Sequence, residues 1–344
     1  MQRFSSYGNL IAWIVVAVVI ALLPLYLPNN YQVSIFIFVA LHTILTIGLS
    51  LLMGYAGQIS LGHAVFYGMG GYTSGILAAR LGVPTPLAML IAAVLTGVVA
   101  FIVAIPMLRL RGNYLAMGTL GLNVIFVLFL TQQTDWTGGP NGLSNIPKLS
   151  VGDFVVQGDV QMYYVAWFAA LIVLALSLNI VNSRFGRALR AIHGSEIAAE
   201  MVGVDAAHYK TAVFTLSAIY ASIAGSLYVF WIGLISPSVV SINLSIELVV
   251  MVAIGGLASV WGAIFGAAAV TLLAEILRNV LPQLLRGASG EQEIIAFGLI
   301  LMIVMITLPE GLTTGSLKRF RQWRSRQQAL RQSVAELPID GLTD

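Results

Sequence analysis

Side chains able to do chemistry are few in this chain and poorly placed for catalysis. There is no cysteine, which excludes disulfides, thiolate metal sites and a cysteine nucleophile. No Ser-His-Asp triad, paired carboxylates or zinc constellation appears, and His193 and His208 lack metal-ligand spacing, so neither a catalytic residue nor a metal site is assigned. No Gly-x-x-x-x-Gly-Lys-Ser/Thr loop is present, so the chain cannot cradle ATP phosphates itself. Two other kinds of polar chemistry remain, docking and passage.

The docking candidates lie between Asn182 and Lys210. Ser195 is placed to cap a helix, Glu196 suits its positive end and Gly203 is placed to stop it, which predicts a short helix of about two turns. Ile197, Met201 and Val204 fall at i, i+4 and i+7 and predict one apolar stripe, with Glu196 and Glu200 on another face. Such a stripe wants either a protein partner or the underside of the protein's own bundle.

The passage candidates are glycine-broken stretches at 54–62 and 255–266, where backbone can approach closely and expose amides or carbonyls to a cavity. Gln58, Ser60 and His63 are the polar members of the first, and Gly255 and Gly256 stand in the second, where simple helix packing is the competing account. Glu247 is a carboxylate in an apolar run, hence either a functional group or an interfacial residue bonded to a neighbour. His42 is expected to be packed and hydrogen-bonded, Glu275 and Arg278 to form an ordinary ion pair, and Trp136, Trp167, Trp231 and Trp261 to mark span ends or packing faces.

The elements that must position these groups have almost no solvated face. Of 344 residues 58% are hydrophobic and 9% charged, against roughly a quarter charged in a soluble domain. Nothing charged lies between Arg3 and Arg80, Arg80 and Arg109, or Lys210 and Glu247. The fold class is therefore an all-α polytopic transmembrane bundle. About ten spans are expected, at 10–28, 33–53, 63–80, 86–107, 114–131, 161–182, 211–233, 246–260, 262–281 and 293–309. The first lacks a small-x-small cleavage site and is expected to be retained. With the N-terminus inside, 13 of the 17 lysines and arginines lie on the inner side, which puts both termini in the cytoplasm. Residues 1–317 then form the transmembrane domain, with an outer loop at 132–161 and an inner loop at 183–210, and 318–344 form a cytoplasmic tail that is either a free extension or lies on anionic lipid. The net charge of +3 resides in short loops and the tail, so no nucleic-acid surface is implied.

The run Arg184-Phe185-Gly186-Arg187-Ala188-Leu189-Arg190-Ala191-Ile192, followed by Glu196-Ile197-Ala198-Ala199 and Gly203-Val204-Asp205, resembles the coupling loop of ATP-binding-cassette importer permeases of the branched-chain amino acid type, the LivH/LivM family. Gly54-Tyr55-Ala56-Gly57-Gln58-Ile59-Ser60-Leu61-Gly62-His63, Leu108-Arg109-Leu110-Arg111-Gly112-Asn113-Tyr114-Leu115-Ala116-Met117, and Ser245-Ile246-Glu247 through Gly255-Gly256-Leu257 to Gly262-Ala263 also match. The Leu-Arg-Gly-Asn-Tyr-Leu-Ala element and the Thr-Gly-Gly turn at 137–139 resemble the LivM branch. The resemblance covers roughly 50 to 310. It implies a LivH-like permease partner, two ATPase subunits that carry ATP and Mg, a periplasmic substrate-binding protein and a multi-pass place in the bacterial inner membrane. This chain would bind no cofactor. The coupling role would fall to Arg184, Gly186, Arg187, Arg190, Glu196, Ala199, Glu200 and Gly203. Leucine, isoleucine and valine are the default substrates, with urea or short amides carried by relatives. A gradient-driven secondary transporter and a channel-like facilitator are the rival readings.

Overall fold

The computed structural model describes residues 2–27, 29–110, 112–284 and 290–307. The expected tail at 318–344, Arg111, Arg286 and the end of the tenth expected span lie outside the described residues. In chain order the helices are α1 (Gln2–Tyr26), α2 (Asn30–Ser50), α3 (His63–Leu81), α4 (Thr85–Met107), α5 (Asn113–Gln132), α6 (Thr134–Thr137) and α7 (Gly158–Asn182). They continue with α8 (Arg184–Gly194), α9 (Glu196–Met201), α10 (Ala206–Ile232), α11 (Ile242–Gly255), α12 (Val260–Leu284) and α13 (Gly290–Thr307). A single π turn, Leu51–Tyr55, extends α2, and a two-residue hairpin pairs Ser150–Val151 with Phe154–Val155.

The chain is an all-α polytopic membrane protein, and each of the ten expected stretches falls on a helix. Six are long and apolar enough to cross a membrane: α2 with its π turn, α4, α5, α7, α10, and α12 as far as Asn279. α11 is short, at 14 residues, because Gly255 and Gly256 end it, the latter at φ +107°. In α3 four glycines, two tyrosines and His63 dilute the apolar content. α2 and α10 form the middle of the bundle, with 78% and 72% of their apolar stretches buried against 22% for α5.

Lipid tails are as apolar as leucine, so helix association in a bilayer rests on close backbone contact and interhelical hydrogen bonds. Both are present. α10 lies so near α3 that a Cβ at Gly225 would overlap the Tyr67 carbonyl, and one at Gly70 would overlap the Ser222 backbone. Ser226 donates to the Gly70 carbonyl at 3.2 Å, and Thr96 of α4 donates to Ser222 Oγ at 3.1 Å. α2 and α12 run antiparallel and are stitched along their length. His42 Nδ1 meets Thr271 Oγ1 at 2.9 Å, Thr46 donates to the Ala263 carbonyl at 3.2 Å and Ser50 to that of Leu257 at 3.0 Å. His42 is thus the packed, hydrogen-bonded residue expected. Glu275 differs from expectation: it is bonded to Tyr31 and Asn279 rather than to Arg278, because the antiparallel pairing brings the tyrosine of α2 across to it while Arg278 is exposed.

The outer loop is tied to the segment that follows α10. Leu143 and Ile235 exchange backbone hydrogen bonds of 2.8 and 3.0 Å, Ile146 N donates to Gly233 O at 3.2 Å, and Trp231 Nε1 donates to Asp159 at 2.9 Å. From Ile235 the chain runs without α-helix alongside α3, past Gly71 and Gly68, to the start of α11.

If the α3–α10 contact holds the bundle together, Gly225→Val forces the helices apart and costs about 1–3 kcal/mol, as overpacking does. The thermal midpoint in detergent should fall with this change, whereas Gly121→Ala, at a position with nothing within 4 Å, should leave it in place.

Candidate functional site

Three caps divide the inner segment. Ser183 accepts from Phe185 N at 3.1 Å to start α8, Ser195 from Ala198 N at 3.3 Å to start α9, and Asp205 from His208 N at 3.0 Å to start α10. The helix predicted to begin after Ser195 and stop at Gly203 is α9. Its end is a Schellman turn: Gly203, at φ +84°, donates to Glu200 O at 2.9 Å and Val204 donates to Ala199 O at 3.0 Å. α8 was not anticipated, although its signal was present in Ser183 and in the three-residue step of Gly186, Leu189 and Ile192, all buried, against Arg184, Arg187 and Arg190, all exposed.

The predicted stripe divides. Ile197 and Met201 are 66% and 84% exposed, joined by Val202 at 77%, but Val204 turns inward onto Ile192, Ala199 and Ala206. The cause is the Schellman turn, which ends the helix before Val204 can occupy a seventh position on it. Ala199 is buried in the same small cluster, and Gly186 is buried where a Cβ would overlap Val181, so both position the surface rather than belong to it. Glu200 is exposed, whereas Glu196 pairs with Lys210 Nζ at 2.7 Å, with Lys210 only 5% exposed. That pair fastens α9 to the first turns of α10. Arg190 Nη1 donates to the Val181 carbonyl at 3.1 Å and so fastens α8 to the end of α7.

The passage candidates separate into two places. Leaving the π turn, Gly57 packs against the His193 ring of α8, and Gln58, half-buried, donates to its neighbour Ala56 O at 3.1 Å. This part of the loop abuts the docking surface. Ser60 and His63, each 1% exposed, lie deeper, and neither the hydroxyl nor either ring nitrogen has a hydrogen-bond partner among the described residues. The start of α3 is held there by side chains of two other helices. Leu61 N donates to Thr119 Oγ1 of α5 at 3.0 Å, and Ala64 N to Ser245 Oγ of α11 at 3.2 Å. Glu247, half-buried, follows Ser245 by two residues on α11. Gly255 is packed on Gly262, and Gly256 is buried in the turn to α12, so close packing accounts for both. One turn beyond Thr119 stands Asn123, 0% exposed with neither amide atom partnered, a polar side chain in an apolar span that carries no charge and was passed over for that reason.

Comparison with known proteins bears on both places. The family described as branched-chain amino acid transport system / permease component matches residues 31–308. The high-affinity branched-chain amino acid transport system permease protein LivM of Salmonella typhimurium is 29% identical over 317 residues, which is 86% of this chain and 72% of that protein. LivM of Escherichia coli is 28% identical over 323 residues, 87% and 74% of the two chains. LivH of Escherichia coli is 24% identical over 292 residues, 79% and 90%. With a family match over most of its length, on a helical bundle that has a capped, partly exposed inner unit and partnerless polar groups in its interior, the chain belongs to the branched-chain amino acid transport permeases.

Proposed function

We propose that this chain is the LivM-like half of the membrane core of a bacterial importer driven by ATP, carrying leucine, isoleucine and valine across the inner membrane. A LivH-like permease is its partner, two ATPase subunits that hold ATP and Mg dock beneath, and a periplasmic binding protein delivers substrate from above. The higher identity to LivM than to LivH, 29% against 24%, supports the choice of half. Ten crossings with both termini in the cytoplasm fit the charge distribution. Residues 1–317 then form the permease domain, 183–210 the coupling loop and 132–161 the periplasmic loop. The tail at 318–344 remains cytoplasmic.

The observation that carries this reading is the α8–α9 surface. Ile197, Met201 and Val202 stand exposed beside Arg184, Arg187 and Arg190, and α9 is fastened through Glu196 and Lys210 to α10, the helix that packs backbone to backbone on α3. An apolar patch rimmed by cations suits a cleft in a partner protein. Closure of the ATPases would press on α9, the buried ion pair would pass the displacement to α10, and α10 would carry α3, whose first turn bears Ser60 and His63. Coupling of this kind needs a two-state element that nucleotide biases from one side and loaded binding protein from the other. The partnerless polar groups at Ser60, His63 and Asn123 support a path through the same region, since buried polar atoms are normally satisfied by protein or water.

Reconstitution tests the assignment. Proteoliposomes holding the two permeases and the ATPases should take up leucine only with ATP and the binding protein present; uptake by this chain alone in a proton or sodium gradient would overturn it. Ile197→Asp or Met201→Asp should weaken ATPase co-purification by roughly 30-fold, about 2 kcal/mol, with membrane insertion unchanged. Glu196→Gln strands a buried ammonium and should lower the thermal midpoint, at a cost of about 3 kcal/mol, while the double change Glu196→Gln with Lys210→Met recovers the midpoint. If that cycle shows no coupling, α9 is not fastened through this pair.

A further inference from the structure

Between α5 and the segment that links α10 to α11 lies a cavity of about 570 Å³, within the size range of small-molecule sites. Val127 and Leu128 of α5, Pro237 and Ile242 give it apolar walls, with Ser241 at the start of α11 and Asn123 among its lining. No lysine, arginine, aspartate or glutamate lines it. Its walls include irregular backbone. Ile235 lies at Gly71 of α3, Val240 at Gly68, and Ser245 bonds Ala64, so the chain from 235 to 245 descends about 10 Å beside a helix rising 1.5 Å per residue. Non-helical backbone at membrane depth is tolerated where protein covers it or where it lines a wet cavity, and this segment has such a cavity beside it.

We propose that this cavity is the site at which the permease receives its substrate, a small neutral amino acid with a branched aliphatic side chain. The inference rests on the transport reading above and locates the ligand within it. The side chain packs on Val127, Leu128 and Ile242. The carboxylate lies at the N-terminal turn of α11, where a helix directs its free N–H groups and the positive end of its dipole. Asn123 supplies the polar contact inside the cavity: its amide is fully buried, neither its oxygen nor its nitrogen is partnered among the described residues, and an amide can accept from an ammonium and donate to a carboxylate. The absence of a charged wall favours a net-neutral zwitterion over acidic or basic amino acids, whose side-chain charge would enter an apolar enclosure unpaired.

The chain's lack of cysteine makes the test direct. Val127→Cys and Ser241→Cys are introduced singly, the full transporter is reconstituted with its ATPases and binding protein, and reaction with a membrane-impermeant maleimide is timed. L-leucine at ten times its dissociation constant should slow both reactions about tenfold, as mass action requires. L-glutamate should not, and Val98→Cys on the exposed face of α4 should respond to neither. Asn123→Leu, which keeps the volume and apolar packing, should abolish the protection while leaving the thermal midpoint in place. Cysteines that react at the same rate with and without leucine, or that never react, in a transporter that imports leucine overturn the site alone. Equal protection by glutamate overturns the neutral class. A reconstituted transporter that imports no leucine overturns the transport reading instead.

Discussion

One constraint governs the architecture: inside a bilayer no water completes a backbone hydrogen bond, so every departure from α-helix must be covered by the protein itself or open onto a wet space. The chain departs three times in its interior, at the π turn 51–55 with its following loop, at 235–241 and at 256–259. All three meet neighbours that complete them. Leu257 lies on Gly54 and accepts from Ser50, Thr119 and Ser245 bind the amides that open α3, and Leu143 pairs with Ile235. The irregular stretches are thereby concentrated on one side of α3, and the partnerless Ser60, His63 and Asn123 belong to that neighbourhood. The regular helices stitched along α2, α10 and α12 supply the rigid frame that makes such irregularity affordable.

The inner surface obeys a different rule, because water and charge are available there. Serine and aspartate caps cut the segment between α7 and α10 into two short helices that would be marginal alone, and an ion pair, an arginine-to-carbonyl bond and a cluster of four small apolar residues hold them against the bundle. What the caps and pairs leave unsatisfied is apolar: isoleucine, methionine and valine facing outward. The inner unit is thus rigid in its attachment and incomplete in its surface.

Much of this was legible in residues. Long uncharged runs located the helices because lipid demands them, and Ser195 with Gly203 bounded α9 because capping chemistry is local. The errors share a cause in distance along the chain. Counting a stripe to Val204 assumed a helix that a glycine had already ended, and Ala199 and Glu196 face inward because Ile192, Ala206 and Lys210 come from other helices. Glu275 found Tyr31, far away in sequence, before Arg278 beside it. Asn123 was missed because a neutral amide in an apolar run leaves no mark on a charge map; only its unpartnered burial singles it out.

The π turn bears on descent. It closes with Ala56 N bonded to Leu51 O at 3.3 Å, one residue wider than an α-turn. Losing a residue from Leu51–Tyr55 would restore ordinary winding and deliver everything after it rotated by about 100°. Gly54 would leave Leu257, Gly57 would leave His193, and the amides of Leu61 and Ala64 would lose the hydroxyls that hold them. Side chains within the turn are therefore freer to drift over generations than the number of residues in it, and the inherited quantity at this bend is a length.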